Sequence, residues 1–191
     1  MLCHDPHWHF TYFSSVTTQL KPHQQVGLSF LVYLSRNGLA GILGDEMGLG
    51  KTLQTLSLLQ YLKESKRPAK SSEPNRPSIV VCPLSVLNSW VAEARDRVPG
   101  LKVLRFHGPV LERARLKRVA TGEEDIRGNE TRRHQVKRNQ RLAAAGKRVI
   151  DLTSEESEDD QAIDLLVTTY DTFTAEQSWL KRAFVWRYAI L

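Results

Sequence analysis

The chain has 191 residues, 41% hydrophobic and 25% charged, with a formal net charge of +6, enough for one compact domain whose core stands without disulfide staples. Two cysteines far apart, Cys3 and Cys82, and an opening without a basic-then-apolar leader argue for a reducing setting; the greasiest run, 53–62, is broken by Gln and Ser and too short to span a membrane. The charge is uneven: 102–148 holds fourteen Lys/Arg against five Asp/Glu, and 151–164 then holds seven acidic residues and no basic one, an adjacency common in solvated insertions.

Residues 1–15 have neither helical nor strand periodicity and read as a disordered lead-in. The tract Cys3, His4, His7 and His9 lacks a second ligand pair and is not taken as a metal site. Further on, Val26, Leu28, Phe30, Leu31 and Leu34 recur at helical spacing and stop at Asn37-Gly38, a C-cap pair. The apolar run 39–43 predicts a strand, followed by a Gly-rich turn and a helix over 51–64. A polar link leads to Ser78-Ile79-Val80-Val81-Cys82, bounded and apolar like a buried parallel strand. A helix over 85–95 with Ser85 as N-cap and strands over 101–106, 165–168 and 187–191 complete the pattern. Strands alternating with helices predict an α/β fold, doubly wound around a parallel sheet, over 16–191. The gap of about sixty residues between the strands at 101 and 165 far exceeds an ordinary connection. Residues 111–162 therefore read as a charged insertion, with a short helix over 111–120 and a disordered remainder too polar to bury much surface.

The strongest chemical signal is Asp45-Glu46-Met47-Gly48-Leu49-Gly50-Lys51-Thr52, between an apolar run and a helix. Gly48 and Gly50 let the backbone turn tightly so that its N–H groups converge on phosphate oxygens. A helix starting at Lys51 adds its positive dipole end, the Lys51 ammonium reaches the β/γ-phosphates, and Thr52 is placed to ligate Mg²⁺. This is the chemistry of a P-loop that binds the phosphates of a nucleotide with Mg²⁺, except that Asp45 stands where the general motif has its first glycine.

Around that loop, GILGDEMGLGKTLQT resembles the nucleotide-binding motif of SWI/SNF- and ISWI-type chromatin-remodelling ATPases of helicase-like superfamily two. Leu20 to Leu28 resembles the family's upstream Gln motif, which implies that Gln24 reads the adenine ring. Val80 to Trp90 and Leu166 to Tyr170 resemble two later motifs, which implies that Pro83, Ser85, Thr168 and Thr169 face DNA. Hydroxyls and N–H groups at strand ends and helix starts suit phosphates, which position a strand without reading its sequence. The resemblance implies a RecA-like lobe of an ATP-dependent DNA translocase, acting on DNA and nucleosomes in the nucleus. It also implies that the catalytic Asp-Glu pair would follow the strand at 187–191, so that no catalytic residue lies within the chain and the chain alone would bind nucleotide without turning it over. Two other readings stay open: a non-catalytic adaptor that binds nucleotide, DNA or SUMO, and a repair-type superfamily-two helicase.

Within the insertion, Val149-Ile150-Asp151-Leu152 followed by the acidic run 154–160 resembles a SUMO-interacting motif. Val149, Ile150 and Leu152 would fill a groove as an added strand while the acidic residues meet a basic rim, so SUMO or sumoylated proteins are expected partners; a pull-down unchanged on replacing all three would exclude this. The preceding basic residues, including Arg132-Arg133 and Lys137-Arg138, suit nuclear import, DNA steering or a soluble face.

Overall fold

The computed structural model describes residues 16–65, 76–125, 127–145 and 163–191. The range expected to form one lobe holds two compact units: Met1–Glu73 with Asn88–Leu101, and Pro74–Leu87 with Lys102–Leu191.

In the first unit, α1 (Pro22–Arg36) starts on a proline, whose missing N–H costs nothing there. It ends as the Asn37-Gly38 pair predicts. Gly38 has φ 65°, and the N–H groups of Gly38 and Leu39 donate to the Ser35 and Leu34 carbonyls at 3.2 and 2.9 Å, closing a Schellman motif. The buried stripe is Gln24, Leu28 and Val32, spaced by four, whereas Val26 and Phe30 lie off it and are 70% and 42% exposed. Helix α1 packs on α2 (Lys51–Glu64), whose Leu53, Leu56, Leu58 and Leu59 are buried. The crossing is close enough that a Cβ on Gly27 would collide with Gln54 Oε1.

The strand expected over 39–43 does not form. Leu39 and Ile42 are 51% and 88% exposed, and Gly41 and Gly44 weaken the run. A strand needs a neighbouring backbone to take its hydrogen bonds, and among its described residues this unit contains no other strand.

The second unit is built on a parallel sheet of β1 (Ser78–Cys82), β2 (Val103–Phe106), β3 (Leu165–Thr169) and β4 (Ala189–Ile190), in the order β2-β3-β1-β4. Every residue of β1 and β3 is buried, as expected of parallel strands covered on both faces. Ile79, Val81, Leu104, Phe106 and Leu166 share one core with Ala120 of α4 (Val110–Ala120) and Leu180 of α6 (Tyr170–Ala183). Trp179 of α6 stacks on Phe106 with ring centroids 5.3 Å apart, and Lys117 of α4 lies 5.5 Å from the Trp179 ring centre. Helix α4 is tied to α6 by Glu176, which accepts from Arg113 at 2.8 Å and Lys117 at 2.6 Å. Helix α3 (Leu84–Arg97) begins in this unit, and its residues from Asn88 belong to the first.

The disorder expected beyond α4 is corrected as far as residue 145. After Gly122, at φ 73°, the chain makes an antiparallel bridge between Glu124 and Glu130 and a turn in which Asn129 donates to both Asp125 carboxylate oxygens at 2.7 and 3.0 Å. Helix α5 (Arg132–Ala144) follows, with Thr131 accepting from the His134 N–H at 3.3 Å as a cap. The segment is as apolar-poor as the sequence says. Its order comes from local polar bonds, which a composition argument does not count. Val149, Ile150, Leu152 and the acidic run, like the lead-in over 1–15, lie outside the described residues.

Candidate functional site: a phosphate loop and a sheet edge

The loop lies wholly in the first unit. Gly48 and Gly50 have φ 86° and 79°, the left-handed region that favours glycine, and Gly50 is the N-cap of α2. A Cβ on Gly50 would also collide with Gln24 Nε2 and push that amide aside.

Two glutamines tie the loop down. Gln24 on α1, 8% exposed, accepts from the Lys21 N–H at 2.9 Å and donates to the Leu49 carbonyl at 3.1 Å. The His23 ring Nε2 lies 3.3 Å from the same carbonyl. Gln54 on α2 is fully buried and donates to the Asp45 carboxylate at 3.3 Å, while its Oε1 has no partner. Asp45, in the place of the expected first glycine, thus uses its carboxylate to fix the loop's entry.

Lys51 Nζ donates to the Asp45 and Glu46 carbonyls at 2.6 and 2.8 Å, so main-chain oxygens hold the ammonium at the loop. Thr52 lies beside it in the first turn of α2, where leading N–H groups have no intrahelical acceptor and the helix dipole is positive. Glu46, Met47, Gly48 and Leu49 are exposed, Met47 at 97%. The N–H groups of a helix start, one ammonium and one hydroxyl have the chemistry that a magnesium-bound triphosphate calls for. His23 and Gln54 escaped the sequence reading; the available signal for Gln54 was a polar residue one turn after Lys51 among the apolar positions of α2.

The edge lies wholly in the second unit. Cys82 pairs with Thr169 and Phe106 with Thr168, so β2, β3 and β1 end nearly level. Beyond them come His107, the start of α6 at Tyr170, and Pro83 with the start of α3 at Leu84. Ser85 is not the N-cap expected. The helix begins one residue earlier, the Val86 N–H donates to the Pro83 carbonyl at 3.1 Å, and Ser85 stands exposed in the first turn beside Pro83, Leu84 and Val86.

Thr168 and Thr169 differ from Ser85. Thr168 is fully buried, its hydroxyl without a partner. Thr169, 3% exposed, caps α6 by accepting from the Thr172 N–H at 3.4 Å, and its hydroxyl donates to Thr172 Oγ1 at 3.0 Å. The His107 Nδ1 lies 3.1 Å from Thr172 Oγ1 and 3.3 Å from Thr169 Oγ1, closing a small polar network that the sequence did not suggest. Both threonine hydroxyls therefore face inward, the Thr172 and Val86 N–H groups are taken by Thr169 and by the Pro83 carbonyl, and the edge presents the exposed Leu84, Ser85 and Tyr170. Among the described residues no helix is long and apolar enough to cross a membrane, and no cluster of His, Cys, Asp and Glu could hold a metal ion.

Residues 23–191 match the family model of the SNF2-related domain. The chain is 34% identical over 178 residues to the ISWI chromatin-remodeling complex ATPase CHR11 of Arabidopsis thaliana, an alignment covering 93% of this chain and 13% of that protein. It is 44% identical over 108 residues to the transcription regulatory protein SNF2 of Saccharomyces cerevisiae, covering 56% of this chain and 6% of that protein. Among solved structures it resembles the Sulfolobus solfataricus SWI2/SNF2 ATPase core in complex with dsDNA, with a TM-score of 0.59, 26% identity, and 92% of this chain and 26% of that one covered. The α/β architecture on a parallel sheet agrees with that core.

Proposed function

We propose that this chain, which belongs to the SNF2-related domain family, is the ATP-binding part of a nuclear motor that hydrolyses ATP to travel along duplex DNA and act on nucleosomes. The observation that carries the reading is the loop: two left-handed glycines, an ammonium held over their turn, and a helix N-terminus behind them, tied on one side by Gln24 and on the other by Gln54. The N–H groups from Asp45 to Gly50 and of the first turn of α2, with Lys51, would hold the phosphates. Thr52 would hold Mg²⁺, and Gln24 would meet the adenine. Bound ATP supplies the free energy of phosphoryl transfer.

The level strand ends support the DNA half of the reading. Pro83, Ser85 and two helix starts at one edge suit a phosphate backbone. Thr169 would serve it from inside by capping α6 where it begins, with Thr168 buried beneath it.

The test separates the two halves. In the full chain, Lys51→Ala removes a charge-assisted contact of roughly 1.5–3 kcal/mol, so affinity for a Mg²⁺–ATP analogue should fall on the order of 10- to 100-fold while duplex binding is unchanged. Ser85→Glu should do the reverse. Unaltered nucleotide affinity in the lysine variant would overturn the reading.

A further inference from the structure

The basic segment is described over 102–125 and 127–145, so the charges of its described side chains can be sorted by what already neutralises them. Arg113 and Lys117 bind Glu176. Arg118 binds Glu124, and both His134 and Arg138 bind Glu130. Of the Lys137-Arg138 pair that stands out in the sequence, Arg138 is therefore already engaged. Lys137 and Arg141 are not: both are exposed, and among the described residues neither has a carboxylate partner. They stand one turn apart on α5, about 6 Å along its axis. Together they line an open hollow of about 240 Å³, whose other walls are Thr121, Gly122, Glu123 and His134.

We infer that this face of α5 is a second grip on the phosphodiester backbone of duplex DNA, formed by the insertion and separate from the sheet edge. Two uncommitted cations at one-turn spacing over an open, polar hollow suit neighbouring phosphates, which need charge and reach but no enclosing pocket. Glu123 is the one carboxylate among the lining residues. The fold makes no use of these two charges, although the segment concentrates the basicity of a chain that is otherwise net negative. The choice of duplex DNA over another polyanion rests on the proposed function.

The experiment is a salt titration of the full chain on a short mixed-sequence duplex. Each phosphate contact contributes about 0.9 to the slope of log affinity against log salt, so Lys137→Gln with Arg141→Gln should make that slope shallower by about 1.8. Both residues are exposed, so folding should be preserved. Glu123→Gln, which removes the opposing charge, should tighten binding by about two- to fivefold at low salt; unchanged or weaker binding would overturn the inference. If the slope is unchanged in the double variant while Ser85→Glu still weakens binding, the second grip is wrong and the motor reading stands. If the slope falls while Ser85→Glu has no effect, the edge contact is wrong and the second grip stands. A poly-glutamate peptide released by the double variant, with the DNA slope unchanged, would give the face to an acidic protein and overturn the inference. If the unaltered chain binds no duplex at low salt, both fail.

Discussion

The phosphate loop and the sheet edge are each built where a backbone turns into a helix, yet they are held in opposite ways. The loop depends on side chains reaching in from outside it: Gln24, Gln54 and Lys51 bind its carbonyls or its acidic residue, and the approach to it is open, with Ile42 88% exposed. The edge depends on backbone. Its strands are paired in register, β1 and β3 are buried along their length, and the hydroxyls of Thr168 and Thr169 point inward. On the proposed function, Lys51 would exchange bonds to carbonyls for bonds to a ligand, whereas the edge would meet a phosphate backbone without rearranging. The contrast predicts that changes at the loop alter ligand binding more than stability, and that changes under the edge do the opposite.

The largest effect should come from Gly50→Ala. A residue with a Cβ at φ 79° incurs about 1–2 kcal/mol of strain, and this Cβ also strikes Gln24 Nε2, so the Gln24 amide must give up its bond to the Leu49 carbonyl. Nucleotide affinity should fall at least about tenfold, measured by titration of a fluorescent ATP analogue, with duplex affinity unchanged. An equal loss of both ligands would break the comparison, because the loop and the edge would then share one support.

Glu176, on the helix that starts at the edge, is the corresponding test. Burial alone would raise its carboxyl pKa, but hydrogen bonds from Lys117 and Arg113 and their charges outweigh that and hold it below the ordinary carboxylate value. The folded value is depressed, so the stabilisation is present above the unfolded value and lost as pH falls through the folded one. Removing one member of a buried ion pair costs about 3–5 kcal/mol; with Arg113 and Lys117 18% and 29% exposed, a loss of about 2 kcal/mol is expected for Glu176→Ala. Urea unfolding should show the full difference at neutral pH and a shrinking one in acid. A difference that does not vary with pH would mean that the carboxylate's charge is irrelevant there.

The same contrast explains what could be read in the sequence. Helix α2, the C-cap at Asn37-Gly38 and strands β1 and β3 were legible because caps, periodicity and apolar runs are local signals. The strand at 39–43 looked equally clear, but a strand is a property of two backbones, and its own sequence cannot supply the other. Helix α5 was missed because it contains few apolar residues, and hydrogen bonds such as those around Asp125 and Glu130 leave no trace in hydropathy. Of the candidate site residues, the glycines and Lys51 were legible from the backbone chemistry of the motif. His23 and His107 act through partners distant in the chain, up to 65 residues away in the contact of His107 with Thr172, and nothing adjacent to them announces the role, whereas Gln54 is marked only by its polarity among the apolar positions of α2.

The smallest expected effect decides how the edge works. Thr169→Ala removes an N-cap, a loss of about 1 kcal/mol, and takes a partner from Thr172 and His107. If the hydroxyl acts from inside, by fixing the first turn of α6, duplex affinity should weaken only in step with that small loss, and Thr169→Ser should restore both by keeping the cap. A tenfold drop in duplex affinity with thermal stability unchanged would instead place the Thr169 hydroxyl against DNA. The edge would then have to open to bind, and it would resemble the loop after all.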